Sequence, residues 1–168
     1  MVNDSSLLSL VESHLISSLG EVRSRASVTF IGCDPIDVLR FETDNGATYA
    51  TIGMSRRPMS DPKEVAPDQI AGPRAELLIT LVPGDDRVLK ALAIAAMTPT
   101  VEGIVIADGV TLDLNEPIWP GAAFNGFVVG VPEMVGLALP APADPVRFFP
   151  LHALTPEELA IARDVRVR

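Results

Sequence analysis

"RAELLITLVP", residues 74–83, decides how the rest of this chain is arranged. Successive residues of a strand point to opposite faces of a sheet. Leu77, Leu78, Ile79 and Leu81 therefore put apolar side chains on both faces. A strand of that kind is covered on both sides, so it belongs in the middle of a sheet. The flanking sequence must then supply its neighbours and the helices that cover it.

Upstream, "TYATIGMSRRPM" (48–59) alternates as a strand, with Tyr49, Thr51 and Gly53 on one face and Ala50, Ile52 and Met54 on the other. Asn45-Gly46 just before it predicts a type I′ hairpin, whose two central residues take positive φ. The partner strand carries Leu39 and Phe41 on one face and Arg40 and Glu42 on the other. Asp34-Pro35 separates it from an earlier alternating stretch, Val22 to Phe30. The first third thus reads as three antiparallel strands. Ahead of them, Leu8, Val11, Leu15 and Leu19 recur at helical spacing and predict a helix over 5–19. Asp4 or Ser5 caps its start and Gly20 closes its end, with His14 on the exposed side.

Between Arg56 and Arg74 the chain holds Pro58, Pro62, Pro67, Gly72 and Pro73, which makes a long loop. Downstream, "GDDRVLKALAIAAMTPT" reads as a helix capped by Asp85 or Asp86 and stopped before Pro99. Asp108-Gly109 marks a turn between two short strands. Residues 115–125 read as a loop, 126–131 as a short strand and "VRFFPLHAL" (146–154) as another. Thr155, Pro156 and Glu158 open a last helix as cap, first residue and capping-box partner. Strand and helix runs mix without βαβ regularity. The fold class is therefore α+β, a mixed, largely antiparallel sheet flanked by helices. Residues 1–24 form an N-terminal helix and lead-in, and 25–168 a single globular unit.

The 168 residues are 48% hydrophobic, enough for a real core, and carry a formal net charge of −9. That balance argues against a nucleic-acid backbone or an anionic membrane as partner, since both require a cationic footprint. It favours basic partners. Cys33 is the only cysteine, which excludes an intramolecular disulfide and a cysteine-tetrad zinc site. No apolar run reaches the ~20 residues of a membrane helix. The first twenty residues lack the basic start of a secretory signal. A cytoplasmic location is expected.

The motifs of catalysis are missing from the sequence. It holds no Gly-x-Ser-x-Gly elbow, no phosphate-cradling glycine loop and no metal-ligand spacing of histidines, so neither cofactor nor metal is expected. Two alternatives stay open. One is a small hydrolase using Cys33 with His14 or His152, or the carboxylates Asp108, Asp113 and Glu116. The other is a structural or oligomer-forming domain, joined through the apolar edge "GFVVGVPEMVG". Seven residues remain unusual: Tyr49, Met54, Arg56, Arg57, Met59, Arg74 and Glu76. Arg, Tyr and Met are enriched where proteins touch, so these are the candidate partner-binding residues. Arg74 and Glu76, two apart on a strand, share a face. An internal ion pair there would pin the long loop, with Asp61 and Asp68 neutralising further arginine charge.

The order "YATIGMS", "GPRAELLITL", "DGVTLDLNEPI", "GFVVGVPE" and "VRFFPLHALTPEEL" resembles the suppressor-of-fused-like family, in its bacterial single-domain form. The resemblance spans roughly residues 25–163. Its most specific pieces are Thr51-x-Gly53-Met54-Ser55, Arg74-Ala75-Glu76-Leu77 and the closing aromatic strand. It implies an α+β domain that binds another protein and catalyses nothing. It further implies an immunity-type role, neutralising a cognate toxin, as in many bacterial members. No catalytic residue carries over.

Overall fold

Arg74–Leu81 is extended, and its first six residues are buried. In the computed structural model, which describes residues 3–61, 63 and 70–167, this strand is fourth in a sheet of seven. In chain order the elements are α1 (Asp4–Leu19), β1 (Val22–Val28), β2 (Ile36–Glu42), β3 (Ala47–Ile52), β4 (Arg74–Leu81), α2 (Leu89–Ala96), α3 (Thr98–Glu102), β5 (Thr111–Asp113), β6 (Gly126–Val129), β7 (Val146–Leu154) and α4 (Pro156–Val167). The sheet runs β1-β2-β3-β4-β7-β6-β5. Only β4 and β7 are parallel; every other neighbouring pair is antiparallel. The mixed α+β architecture expected from the sequence is the one observed.

Strand alternation divides the core in two. Ile36, Val38, Tyr49, Leu77 and Ile79 pack with α2, whose Ala91, Leu92 and Ala95 are buried. Leu39, Phe41, Ala50 and Leu78 pack on the opposite face with Leu7, Val11 and Leu15 of α1. Pro150 stands where β7 stops pairing with β4 and starts pairing with β6. A residue without an N–H suits that handover.

Several local expectations change. Asn3, not Asp4 or Ser5, caps α1 by accepting from Ser6 N–H at 2.8 Å. Leu7 replaces Leu8 and Leu19 in its fully buried stripe. The 42–47 hairpin forms, but neither Asn45 nor Gly46 has positive φ. Its loop closes through Thr43, whose N–H and hydroxyl bond the Gly46 carbonyl and N–H. Gly46 is needed for space instead, since a Cβ there would lie 2.1 Å from the Leu81 carbonyl oxygen. Pro99 ends α2 but sits in the first turn of α3, a position that costs no hydrogen bond. Residues 103–107 form no strand ahead of the Asp108-Gly109 turn. Strand β6 lies between β5 and β7, so 126–129 is not a free edge for dimerisation. His14 is half-buried. It stacks on Phe148 at 5.1 Å and donates from Nε2 to the Val135 carbonyl at 2.6 Å.

Candidate partner-binding site at the fork of β3 and β4

The β3–β4 ladder ends at the pair Ala50–Leu78. Beyond it the two strands part, and side chains take over the bonding. Thr51 Oγ1 accepts from Leu77 N–H at 2.9 Å and donates to Glu76 Oε1 at 2.8 Å. The other carboxylate oxygen, Oε2, accepts from Gly53 N–H at 2.9 Å, Ser55 N–H at 3.0 Å and Ser55 Oγ at 2.5 Å. Glu76 is fully buried. Burial raises its pKa above the usual glutamate value, against the lowering effect of the bonds from Ser55, Gly53 and Thr51.

Those bonds fold residues 53–56 into a tight helical turn over Met54–Arg56. Gly53 starts the turn at φ 133°. A Cβ at that position would also meet the Pro35 carbonyl at 2.9 Å, so the turn requires glycine. Arg74 holds the same turn from its other side. Its Nη1 donates to the Ser55 and Arg56 carbonyls at 2.8 and 2.9 Å, and its Nη2 to the Ile70 carbonyl at 3.1 Å. Desolvation lowers the Arg74 pKa, with the charges of Asp144 and Asp4 opposing the shift. Arg74 and Glu76 form no ion pair with each other, contrary to the sequence expectation. Each binds the 53–56 turn separately, Glu76 through donors and Arg74 through carbonyls.

The turn delivers three of the candidate residues to the surface. Met54 and Arg56 are half-buried and Arg57 is exposed. Arg56 Nη1 donates to the Pro35 carbonyl at 2.8 Å and Arg57 Nη1 to Asp34 at 3.2 Å. Asp34 thus supplies the local neutralisation expected of Asp61, which instead accepts from Lys63 N–H; Asp68 lies outside the described residues. Met54, Arg56, Arg57 and Met59 line a groove of about 660 Å³ with Cys33 and Met97. Met59 is buried in its wall, with Sδ accepting from Ile106 N–H at 3.3 Å. Tyr49 is not brought to this site. It is fully buried, and its hydroxyl donates to Asp86 at 2.8 Å while Arg40 lies over its ring.

The residues weighed for hydrolysis have other uses. Asp113 accepts from Asn115 N–H and pairs with Arg163. Asp108 and Glu116 are exposed, and Cys33 is half-buried in the groove wall. Among the described residues, no three His, Cys, Asp or Glu side chains gather as a metal cage. No helix among them is long and apolar enough to cross a membrane.

Thr51, Gly53 and Ser55 are not among the candidate partner-binding residues that residue type picks out. The available signal was a glutamate inside an otherwise apolar strand, which demands buried donors somewhere.

An α+β domain whose mixed sheet forks around a buried carboxylate defines the class. A family profile described as "Suppressor of fused protein (SUFU)" matches residues 32–168. The chain belongs to the suppressor-of-fused family. Among solved structures it is similar to a chain of the Sufu–Fu complex, at 11% identity and TM-score 0.63, covering 95% of this chain and 78% of that one. It is also similar to a putative SUFU homologue from Neisseria gonorrhoeae, at 17% identity and TM-score 0.59, covering 92% and 81%. Drosophila Suppressor of Fused matches at 13% identity and TM-score 0.59, covering 93% of this chain and 42% of its own. No curated protein matches the chain.

Proposed function

We propose that this chain is a protein-binding domain that acts by occupancy, without making or breaking covalent bonds. Its partner seats in the groove under the Met54–Arg57 turn. The carrying observation is that Met54, Arg56 and Arg57 reach one open groove on a turn hydrogen-bonded to both Glu76 and Arg74. A preorganised surface loses less entropy on binding than a mobile one. Ile31 and Val101, adjacent in sequence to the groove residues Gly32 and Thr100, are exposed apolar side chains of the kind a partner would cover. A related fold is found in the Sufu–Fu complex, and that relative's engagement with another protein supports the same mode here.

The net charge of −9 favours a basic partner, because complementary fields speed encounter. A basic toxin, neutralised in an immunity-type role in the cytoplasm, is the partner we favour. The test is co-expression with the product of the neighbouring gene, followed by capture on this chain and on its Ile31→Asp variant. Ile31 is fully exposed, so the variant should melt like the parent. Stable capture by the parent and loss with Ile31→Asp is the expected result. No partner from co-expression or from native lysate, or equal capture by both proteins, would count against the groove.

A further inference from the structure

The arginine ridge has a second side. Arg56 and Arg57 line the groove described above, and they also line a separate cleft of about 370 Å³. Arg74 contributes to the floor of that cleft, and Leu7 and Leu139 to its apolar wall. A guanidinium carries five N–H donors. Three of those of Arg74 go to the carbonyls of Ser55, Arg56 and Ile70. Its Nε is buried and has no hydrogen-bond partner among the described residues, and Arg74 as a whole is only 7% exposed. Buried donors are ordinarily satisfied, so an orphan N–H on a cation beside a cleft marks a place for an acceptor. Among the described residues, no carboxylate pairs with Arg56, Arg57 or Arg74 within the cleft; the Asp34 partner of Arg57 lines the other groove. Among the described residues, Asp4 is the one acidic side chain that lines the cleft, and Asp144, next to the lining residue Ala143, adds a second negative charge acting on Arg74.

We propose that this cleft binds a carboxylate carried by a peptide, an acidic residue with apolar neighbours, whose oxygens are held by Arg74 and the Arg56–Arg57 ridge. The apolar wall suits the neighbours, and the guanidinium fork suits the carboxylate. An acidic protein with a local arginine cleft reads its partner in two ways: the overall field selects basic partners, and the cleft fixes one acidic residue of that partner. The proposal rests on the reading of the chain as a binding domain, yet it is testable with no partner in hand.

The experiment follows the arginine Nε–H signals by NMR in the full chain. The probes are acetyl-Leu-Glu-Leu-amide, its Gln counterpart and inorganic phosphate. A saturable shift of the Arg74 signal with the Glu peptide is expected, at least about tenfold weaker with the Gln peptide, as for loss of a charged hydrogen bond. Arg57→Ala, a substitution at an exposed position, should weaken the response. Asp4→Asn should strengthen it, because it removes a competing negative charge. Arg74→Lys should abolish it, and Arg57→Ala carries the test if that variant does not fold. No Arg74 shift, equal shifts with Glu and Gln peptides, or a response to phosphate alone would overturn the assignment. If the cleft fails while partner capture through the groove survives, this inference falls and the proposed function stands.

Discussion

Two polar groups lie fully buried along the seam of β3 and β4, and the sheet accommodates them by opposite means. Tyr49 sends its hydroxyl outward to Asp86, whose side chain is 58% exposed, with Arg40 alongside. Its charge partners stand at the protein's rim, where water shares the solvation. Glu76 has no such exit. Its carboxylate ends inside the fold, among four neutral donors and, among the described residues, with no cation bonded to it. A buried charge without a cation is tolerable only when preset dipoles replace its water. Those dipoles belong to the 53–56 turn, so the carboxylate and the turn define each other. Tyr49 stitches an edge, whereas Glu76 shapes a surface.

Removing each group should break the comparison unequally. Glu76→Ala leaves the N–H groups of Gly53 and Ser55 buried without acceptors, and creates a cavity besides. A loss on the order of 3–5 kcal/mol is expected in urea unfolding. Tyr49→Phe keeps the ring and drops two hydroxyl bonds, one donated to Asp86 and one accepted from Arg40, so about 1–2 kcal/mol should go. Equal losses at the two positions would show that the turn does not depend on the carboxylate.

The pH dependence sharpens the same contrast, because the two sites slope in opposite directions. Burial raises the folded pKa of Glu76. Its stabilisation is therefore complete below the unfolded glutamate value, ~4.3, and is lost as pH rises through the folded value. The Tyr49 and Arg40 bonds lower the pKa of Asp86. Its stabilisation is present above the ordinary aspartate range and is lost as pH falls through the lowered value. Stability profiles of the parent and Glu76→Gln should differ by a term that declines with rising pH. Asp86→Asn should remove a term that grows with it. Superimposable parent and Glu76→Gln profiles would refute a perturbed carboxyl at 76. Tyr49, pushed up to about 12 by burial and the Asp86 bond, adds a separate loss only at strongly alkaline pH.

The sequence made the sheet legible and left the fork obscure, for a physical reason. Leu77, Leu78 and Ile79 announce a covered strand through a period of two, and Thr155 with Glu158 announces a cap through a spacing of three. Such signals are local. The partners of Glu76 lie 21–25 positions away, and only the β3–β4 pairing brings them together. Charge and strand spacing alone suggest an Arg74–Glu76 pair. The structure has no such pair, because the 53–56 turn offers N–H groups to Glu76 and carbonyls to Arg74. Residue type puts Tyr49 among the partner-binding candidates, although its strand is buried along its whole length. Met54, Arg56 and Arg57 line one groove because they follow the strand's end, where a chain must emerge.

The smallest expected effect separates the two arginines of that ridge. Arg56 spends Nη1 on the Pro35 and Gly53 carbonyls, so it braces the turn it belongs to. Arg57 pairs with Asp34, its one ion-pair partner among the described residues, and the two side chains are 64% and 53% exposed. An ion pair that open to solvent is worth little. Arg57→Glu should therefore change stability by no more than ~0.5 kcal/mol, while Arg56→Glu costs more through the lost carbonyl bonds. Binding should reverse that order of interest. A glutamate at 57 places a negative charge at the mouth of both the groove and the cleft, so it should weaken partner capture and the acidic-peptide response together. If Arg57→Glu leaves both intact, the ridge is merely solvated charge, and the buried carboxylate at 76 shapes a surface that grips nothing.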